Sequence, residues 1–139
     1  MRRLTKNHIN ELTYEIIGAA IEVHKQMGPG LLEKIYEACL IRELNLMRIK
    51  VKSQESIPII YKGVQLDVDI RFDLLVDDCI IVELKSVKEM IPLFDAQVIS
   101  YANLKGVPKS ILINFNCTNI FKEGQKTFVN ELFYSLPDE

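Results

Sequence analysis

Several things that would mark out a chain of this size are scarce or missing. No apolar run approaches the roughly 20 residues that span a bilayer. The polar, basic start from Met1 to Asn10 also lacks the apolar segment of a secretory signal. A cytoplasmic protein without a membrane partner is therefore expected. Cysteine is scarce: Cys39, Cys79 and Cys117 are odd in number, far apart and never in a Cys-x-x-Cys pair. That pattern excludes a disulfide framework and predicts reduced thiols that pack as small apolar groups. Histidine is scarcer, with only His8 and His24, so a zinc site is not expected. A Cys-His hydrolase is disfavoured too, because nothing positions a thiol beside His24. Excess positive charge is also missing. The formal net charge is −2, which leaves no general basic footprint for a phosphate backbone.

What is there fits one globular domain over 1–139. Hydrophobic residues make up 48% and charged residues 26% of 139 positions, enough for a core that needs no cross-links. Internal repeats and low-complexity segments are absent. From Asn10 to Met27, Leu12, Ile16, Ala19, Ala20, Val23 and Met27 recur at helical spacing, and Gly28-Pro29-Gly30 ends the pattern. A second helix is expected at once, with Leu31, Leu32, Ile35, Tyr36, Cys39, Leu40 and Leu44 inward. Val51 to Tyr61 reads as an edge strand because of Pro58, and Lys62-Gly63 turns it into the next strand. There Leu66, Val68, Ile70, Phe72, Leu74 and Val76 alternate with Gln65, Asp67, Asp69, Arg71 and Asp73. Asp77-Asp78 turns into a third strand, Ile80 to Lys85. Pro92 opens a helix that runs to Leu104, with Gly106 as its C-terminal cap. Ser110 to Phe115 reads as a strand and Asn119 to Lys122 as a weaker one, while Gln125 onward is ambiguous. The order ααβββαβ(β) predicts an α/β domain of two or three layers around a mixed sheet.

The third strand carries the chemistry. Glu83 and Lys85 share one face, opposite Ile80, Val82 and Leu84. Charges on an otherwise buried strand are costly unless they are paired or bind an ion. A two-residue hairpin loop would set Asp73 opposite Val82. A three-residue loop, Asp77-Asp78-Cys79, sets it opposite Glu83, and this register is expected. Two acids and a lysine then supply hard oxygen ligands for Mg²⁺ and a positive group for a phosphoryl transition state. If Glu33 joins Asp73 and Glu83 around a cation, the remaining chain is net positive and the objection from charge weakens. Arg2-Arg3 and Arg48-Ile49-Lys50-Val51-Lys52 are small basic clusters that suit either solvated surface or a binding track. Asp67 and Asp69 share the polar face but lie farther along the strand, and are expected in solvent or paired with Arg71.

Asp73, Glu83 and Lys85 on adjacent strands are preceded by Gly30-x-x-Glu33-x-x-Tyr36 and followed by Gln97-x-x-x-Tyr101. Together with Gly28-Pro29-Gly30-Leu31-Leu32-Glu33 and Leu112-Ile113-Asn114-Phe115, this set resembles the PD-(D/E)xK nuclease superfamily and, within it, the small GxxExxY proteins. The resemblance implies a restriction-endonuclease-like αβββαβ core, a mixed central sheet flanked by helices. It also implies Mg²⁺ or Mn²⁺ held by Asp73, Glu83 and the backbone carbonyl of Leu84, with Glu33 assisting. Gln97 and Tyr101 resemble the RecB-type element that supports the metal and contacts nucleic acid. Phe72 stands where the superfamily's name has proline, a position that carries no ligand. Some RecB-like enzymes use a histidine from the region of His24, but here a helix-end histidine facing the dipole is the favoured reading.

The expected function is hydrolysis of DNA phosphodiester bonds, with RNA as an open alternative substrate. A homodimer or a partner protein is the expected source of specificity. The competing reading is a nucleic-acid-binding or interaction module that keeps the fold without efficient cleavage. A glycosidase with paired carboxylates has no use for Lys85.

Overall fold

The computed structural model of the protein describes residues 3–139, so part of the Arg2-Arg3 pair lies outside the described residues. Helix α1 spans Lys6–Met27 and α2 spans Glu33–Leu46. Strands β1 (Val51–Tyr61), β2 (Val64–Val76) and β3 (Ile80–Lys85) follow as a meander. Helix α3 (Pro92–Lys105) leads to β4 (Lys109–Asn114). A π-helical turn, Ile120–Gly124, then precedes β5 (Gln125–Val129) and the short α4 (Glu131–Tyr134). The strands form one sheet in the order β1-β2-β3-β4-β5. Only β3 and β4 pair in parallel, joined through α3, and the other neighbours are antiparallel. No helix is long and apolar enough to cross a membrane among the described residues.

Three layers result. Helix α1 buries Ile9, Leu12, Ile16, Ala19, Ala20 and Val23, and α2 buries Tyr36, Leu40 and Leu44. Both pack on the sheet face formed by Leu74, Val76, Ile80, Val82, Leu84, Ile111 and Ile113. On the other face Ile57, Phe72, Leu75 and Ile81 meet Ala102 of α3. Strands β3 and β4 are buried on both faces, as a parallel pair between helix layers must be.

Sequence and structure differ at four places. Helix α1 starts four residues before Asn10, because Thr5 caps it by accepting from the His8 N–H. Helix α2 starts at Glu33 rather than at Leu31, and Leu32 and Ile35 are exposed rather than inward. Gly28 and Gly30 both have positive φ, so the chain needs Leu31 and Leu32 to recover helical geometry. The weak strand expected at Asn119 to Lys122 is a π-helical turn instead. Asn119 caps it by accepting from the Lys122 N–H, while Glu123 accepts from the Thr118 N–H, so local side-chain bonds outcompete a ladder. The ambiguous stretch from Gln125 is a strand, paired with β4.

Gly124 closes that turn against β4. A Cβ there would lie 2.7 Å from Cys117 Sγ and 2.9 Å from the backbone oxygen of Asn114. Gly124→Ala is therefore expected to cost about 1–3 kcal/mol by overpacking, read as a lower urea midpoint with an unchanged m-value. An unchanged midpoint would contradict this packing.

Candidate functional site

The β2–β3 hairpin has the three-residue loop. Val76 pairs with Ile80, Leu75 with Ile81 and Leu74 with Val82, a register that sets Asp73 against Glu83. The ladder then changes character. The Asp73 N–H donates to Glu83 Oε1 at 2.6 Å, and the Leu84 N–H donates to Asp73 Oδ2 at 2.8 Å. Carboxylates have replaced carbonyls as acceptors, and the two strands fork.

Strand β2 reverses its facing at the same place. Leu74 and Val76 lie in the core under α1 and α2, but Phe72, in the same alternation, lies in the core under α3. A strand can do this only by rotating its backbone between the two. Directly across on β1, between Ser53, which pairs with Leu74, and Glu55, which pairs with Phe72, stands Gln54. Its φ is 52°, the left-handed region that non-glycine residues adopt at a cost of order 1–3 kcal/mol. Gln54 Nε2 donates to Glu37 Oε1 at 2.8 Å and reaches Asp73 Oδ1 at 3.5 Å.

Glu37 is a residue that sequence reasoning missed. It lies one turn after Glu33 on α2, half-buried, and its carboxyl is pushed up by burial first and then by the charge of Asp73. Its i, i+4 relation to Glu33 was the available signal. Glu33 is exposed at the start of α2 and still contributes to the field on Glu37 and Glu83. Glu83 is 9% exposed. Burial, and next the charge of Asp73, push its carboxyl up to about 7.

Lys85 lies on the Glu83 face, but its ammonium sits 4.4 Å from the centroid of the Phe94 ring on α3. Among the described residues it makes no ion pair within 4.0 Å. On the same helix, Tyr101 packs on the α3-side core, and burial and then the charges of Glu83 and Asp73 raise its hydroxyl. Gln97 is half-buried one turn earlier, and among the described residues no hydrogen bond joins it to the acids. His24 Nε2 bonds the Cys117 carbonyl oxygen at 2.9 Å, which engages it in the loop after β4. Asp67, Asp69 and Arg71 are exposed, as expected. Lys50 and Lys52 both pair with Asp78, so these two cations brace the hairpin loop.

Other residues position the site without joining it. Tyr36 stacks on Phe115 with centroids 4.3 Å apart, donates to the Gly28 carbonyl and accepts from the Leu31 N–H. The same loop is held from the other side, where Ser86 Oγ donates to the Leu31 carbonyl. Asn114 is buried and clasps Val87 twice, accepting from its N–H and donating to its carbonyl, which fixes the chain just beyond Lys85.

The sequence model of the PD-(D/E)XK nuclease superfamily matches residues 10–128. The chain belongs to that superfamily, and the sheet and its helices agree with the restriction-endonuclease-like fold of the group. Neither a curated protein nor a solved structure matched the chain. Membership implies nuclease chemistry on nucleic acid, commonly with a divalent metal.

The donor set fits such an ion. Glu33, Glu37, Asp73 and Glu83 are hard oxygen donors on three elements that converge, and two of them are held above the ordinary carboxylate range. They are not drawn tight: among the described residues no three of these carboxylates bring oxygens within 4.8 Å of one another.

The raised Glu83 sets a pH dependence in metal-free protein. Its folded value exceeds its unfolded value, so the folded state binds the extra proton. Stability falls as pH rises from about 4.5 to about 7 and stays reduced above, by on the order of 3 kcal/mol from this group. Glu83→Gln keeps an acceptor for the Asp73 N–H and removes the charge. In chelator, thermal melts are expected to show the variant more stable than wild type at pH 8, with the gain shrinking at pH 5. Equal differences at both pH values would contradict the assignment.

Proposed function

We propose that this protein is a GxxExxY-type nuclease that hydrolyses DNA phosphodiester bonds with Mg²⁺ or Mn²⁺. The observation that carries the reading is the fork at Asp73 and Glu83, where two carboxylates replace backbone acceptors and face the acids of α2. In this reading Asp73, Glu83 and the Leu84 carbonyl hold the ion, with Glu33 and Glu37 completing the set from the helix. When bound, the ion supplies Lewis-acid activation of the phosphodiester and a counter-charge to the acids.

The chain's own groups do the rest. Lys85 moves off Phe94 and brings its ammonium to the phosphate, where it stabilises charge that develops on the equatorial oxygens. Tyr101 orients the substrate backbone through its hydroxyl, with Gln97 beside it on the same helix. Gln54 holds Glu37 toward Asp73. Supporting this division of roles, each group lies on a rigid strand or helix and the loops between them are tied down by Tyr36, Ser86 and Asn114.

One observation favours the second reading, a binding module with little cleavage: the Lys85 ammonium rests on an aromatic ring instead of beside the acids. Cleavage of labelled single-stranded DNA, double-stranded DNA and RNA in Mg²⁺ or Mn²⁺ separates the two. Asp73→Ala and Lys85→Ala are each expected to lower the rate by about 10²-fold or more, and Glu37→Gln by about 10-fold. Cleavage that survives both alanine variants, or none by wild type on any substrate, overturns the nuclease reading.

A further inference from the structure

A second constellation lies at the far end of the β2–β3 hairpin. His8, Asp77 and Cys79 each offer a ligand atom, and these atoms all lie within 4.8 Å of one another. Among the described residues this is the only group of three or more histidine, cysteine and acidic side chains so gathered. His8 Nε2 is already 2.7 Å from Asp77 Oδ2. Asp77 follows Asp73 by four residues, just past the end of β2, roughly 13 Å away at strand rise, so the two clusters are separate.

The three residues come from two elements that the chain brings together. Thr5 fixes His8 in the first turn of α1. Asp77 and Asp78 both have positive φ in the hairpin loop, which is anchored where the Asp77 N–H donates to the Lys50 carbonyl. Lys50 and Lys52 are taken up by Asp78, so Asp77 faces His8 while its neighbour absorbs the nearby cations. Cys79 is 2% exposed and His8 is half-buried. The donors are one imidazole nitrogen, one carboxylate oxygen and one sulfur.

We infer that His8, Asp77 and Cys79 form a zinc-binding site. Mixed nitrogen, oxygen and sulfur donors suit Zn²⁺, whereas sulfur is a poor partner for Mg²⁺ or Ca²⁺. Tetrahedral bonds of about 2.0–2.3 Å set ligand atoms about 3.5 Å apart. The His8–Asp77 pair must open by under about 1 Å and the sulfur, which lies within 4.8 Å of both, must close by no more than about 1 Å, adjustments within the reach of side-chain rotation. The Cys79 thiol gives its proton to solvent on binding, so uptake of Zn²⁺ releases acid. Three protein ligands leave the fourth tetrahedral position for a water. The bound ion staples the start of α1 to the hairpin that carries Asp73 and Glu83.

The test uses the full chain, freed of metal and titrated with Co²⁺ and then Zn²⁺. Co²⁺ is expected to give a thiolate-to-metal charge-transfer band that Zn²⁺ abolishes, with proton release seen by calorimetry in buffers of different ionisation enthalpy. Cys79→Ser should remove the band. His8→Gln and Asp77→Asn should each weaken binding by on the order of 100-fold or more, above the loss caused by removing an outer-shell partner. Cys39→Ser, Cys117→Ser and Glu83→Gln should keep it, with circular dichroism confirming that each variant folds. No band at saturating Co²⁺, or a band that persists in folded Cys79→Ser, overturns the site.

Discussion

The structure turns on the exchange of acceptors at the β2–β3 fork. Up to Leu74 and Val82 the hairpin is an ordinary antiparallel ladder. One step further, the Asp73 N–H and the Leu84 N–H bond carboxylates from across the strand instead of carbonyls. Charge-assisted bonds of this kind are stronger than neutral ones, so the fork is held firmly although the ladder ends. The rotation of β2 at Asp73 and the left-handed Gln54 across from it follow from the same event. By parting from β3, the strand can send Phe72 to the α3 core while Leu74 stays under α1 and α2.

That arrangement concentrates negative charge where solvent is scarce. Glu83 is buried beside Asp73, and Glu37 closes in from α2. A core gains nothing from such neighbours. Hydrophobic residues of similar size would pack there without the desolvation penalty, so the cluster costs the fold stability that the proposed cation would offset. Lys85 does not neutralise it in this state, because its ammonium lies over Phe94. The cation–π contact keeps the lysine near the acids without pairing it, and so leaves their oxygens uncommitted to it.

Much of this was legible in the chain. Alternation in β2 and β3, combined with the odd loop Asp77-Asp78-Cys79, determined which face Glu83 took and where Asp73 lay across from it. Helix α3 was equally readable from Pro92 and Gly106, because both act through local backbone geometry. What escaped depends on tertiary context. Gln54 has no sequence mark of its left-handed φ, which exists only because β2 twists opposite it. Glu37 has no mark that sets it apart from other helix acids, and it gains its setting only from the sheet, which brings Asp73 close to it. The π-helical turn escaped for a different reason: Phe121 and Ile120 favour a strand, but Asn119 and Glu123 satisfy the backbone locally first. Composition cannot register that α1 begins early enough to carry His8 to the hairpin loop.

The residues of Gly30-x-x-Glu33-x-x-Tyr36 divide between chemistry and carpentry, and the division explains their spacing. Tyr36 reaches back from α2 to bond both Gly28 and Leu31, which is possible only if the chain between them doubles over. The positive φ values at Gly28 and Gly30 make that bend. Once the loop is pinned to Tyr36, and to Ser86 just beyond Lys85, the first two turns of α2 bring Glu33 and Glu37 into the field of the acids at the end of β3. The glycine and tyrosine therefore fix the direction of the helix, and the glutamate is the residue that this direction aims.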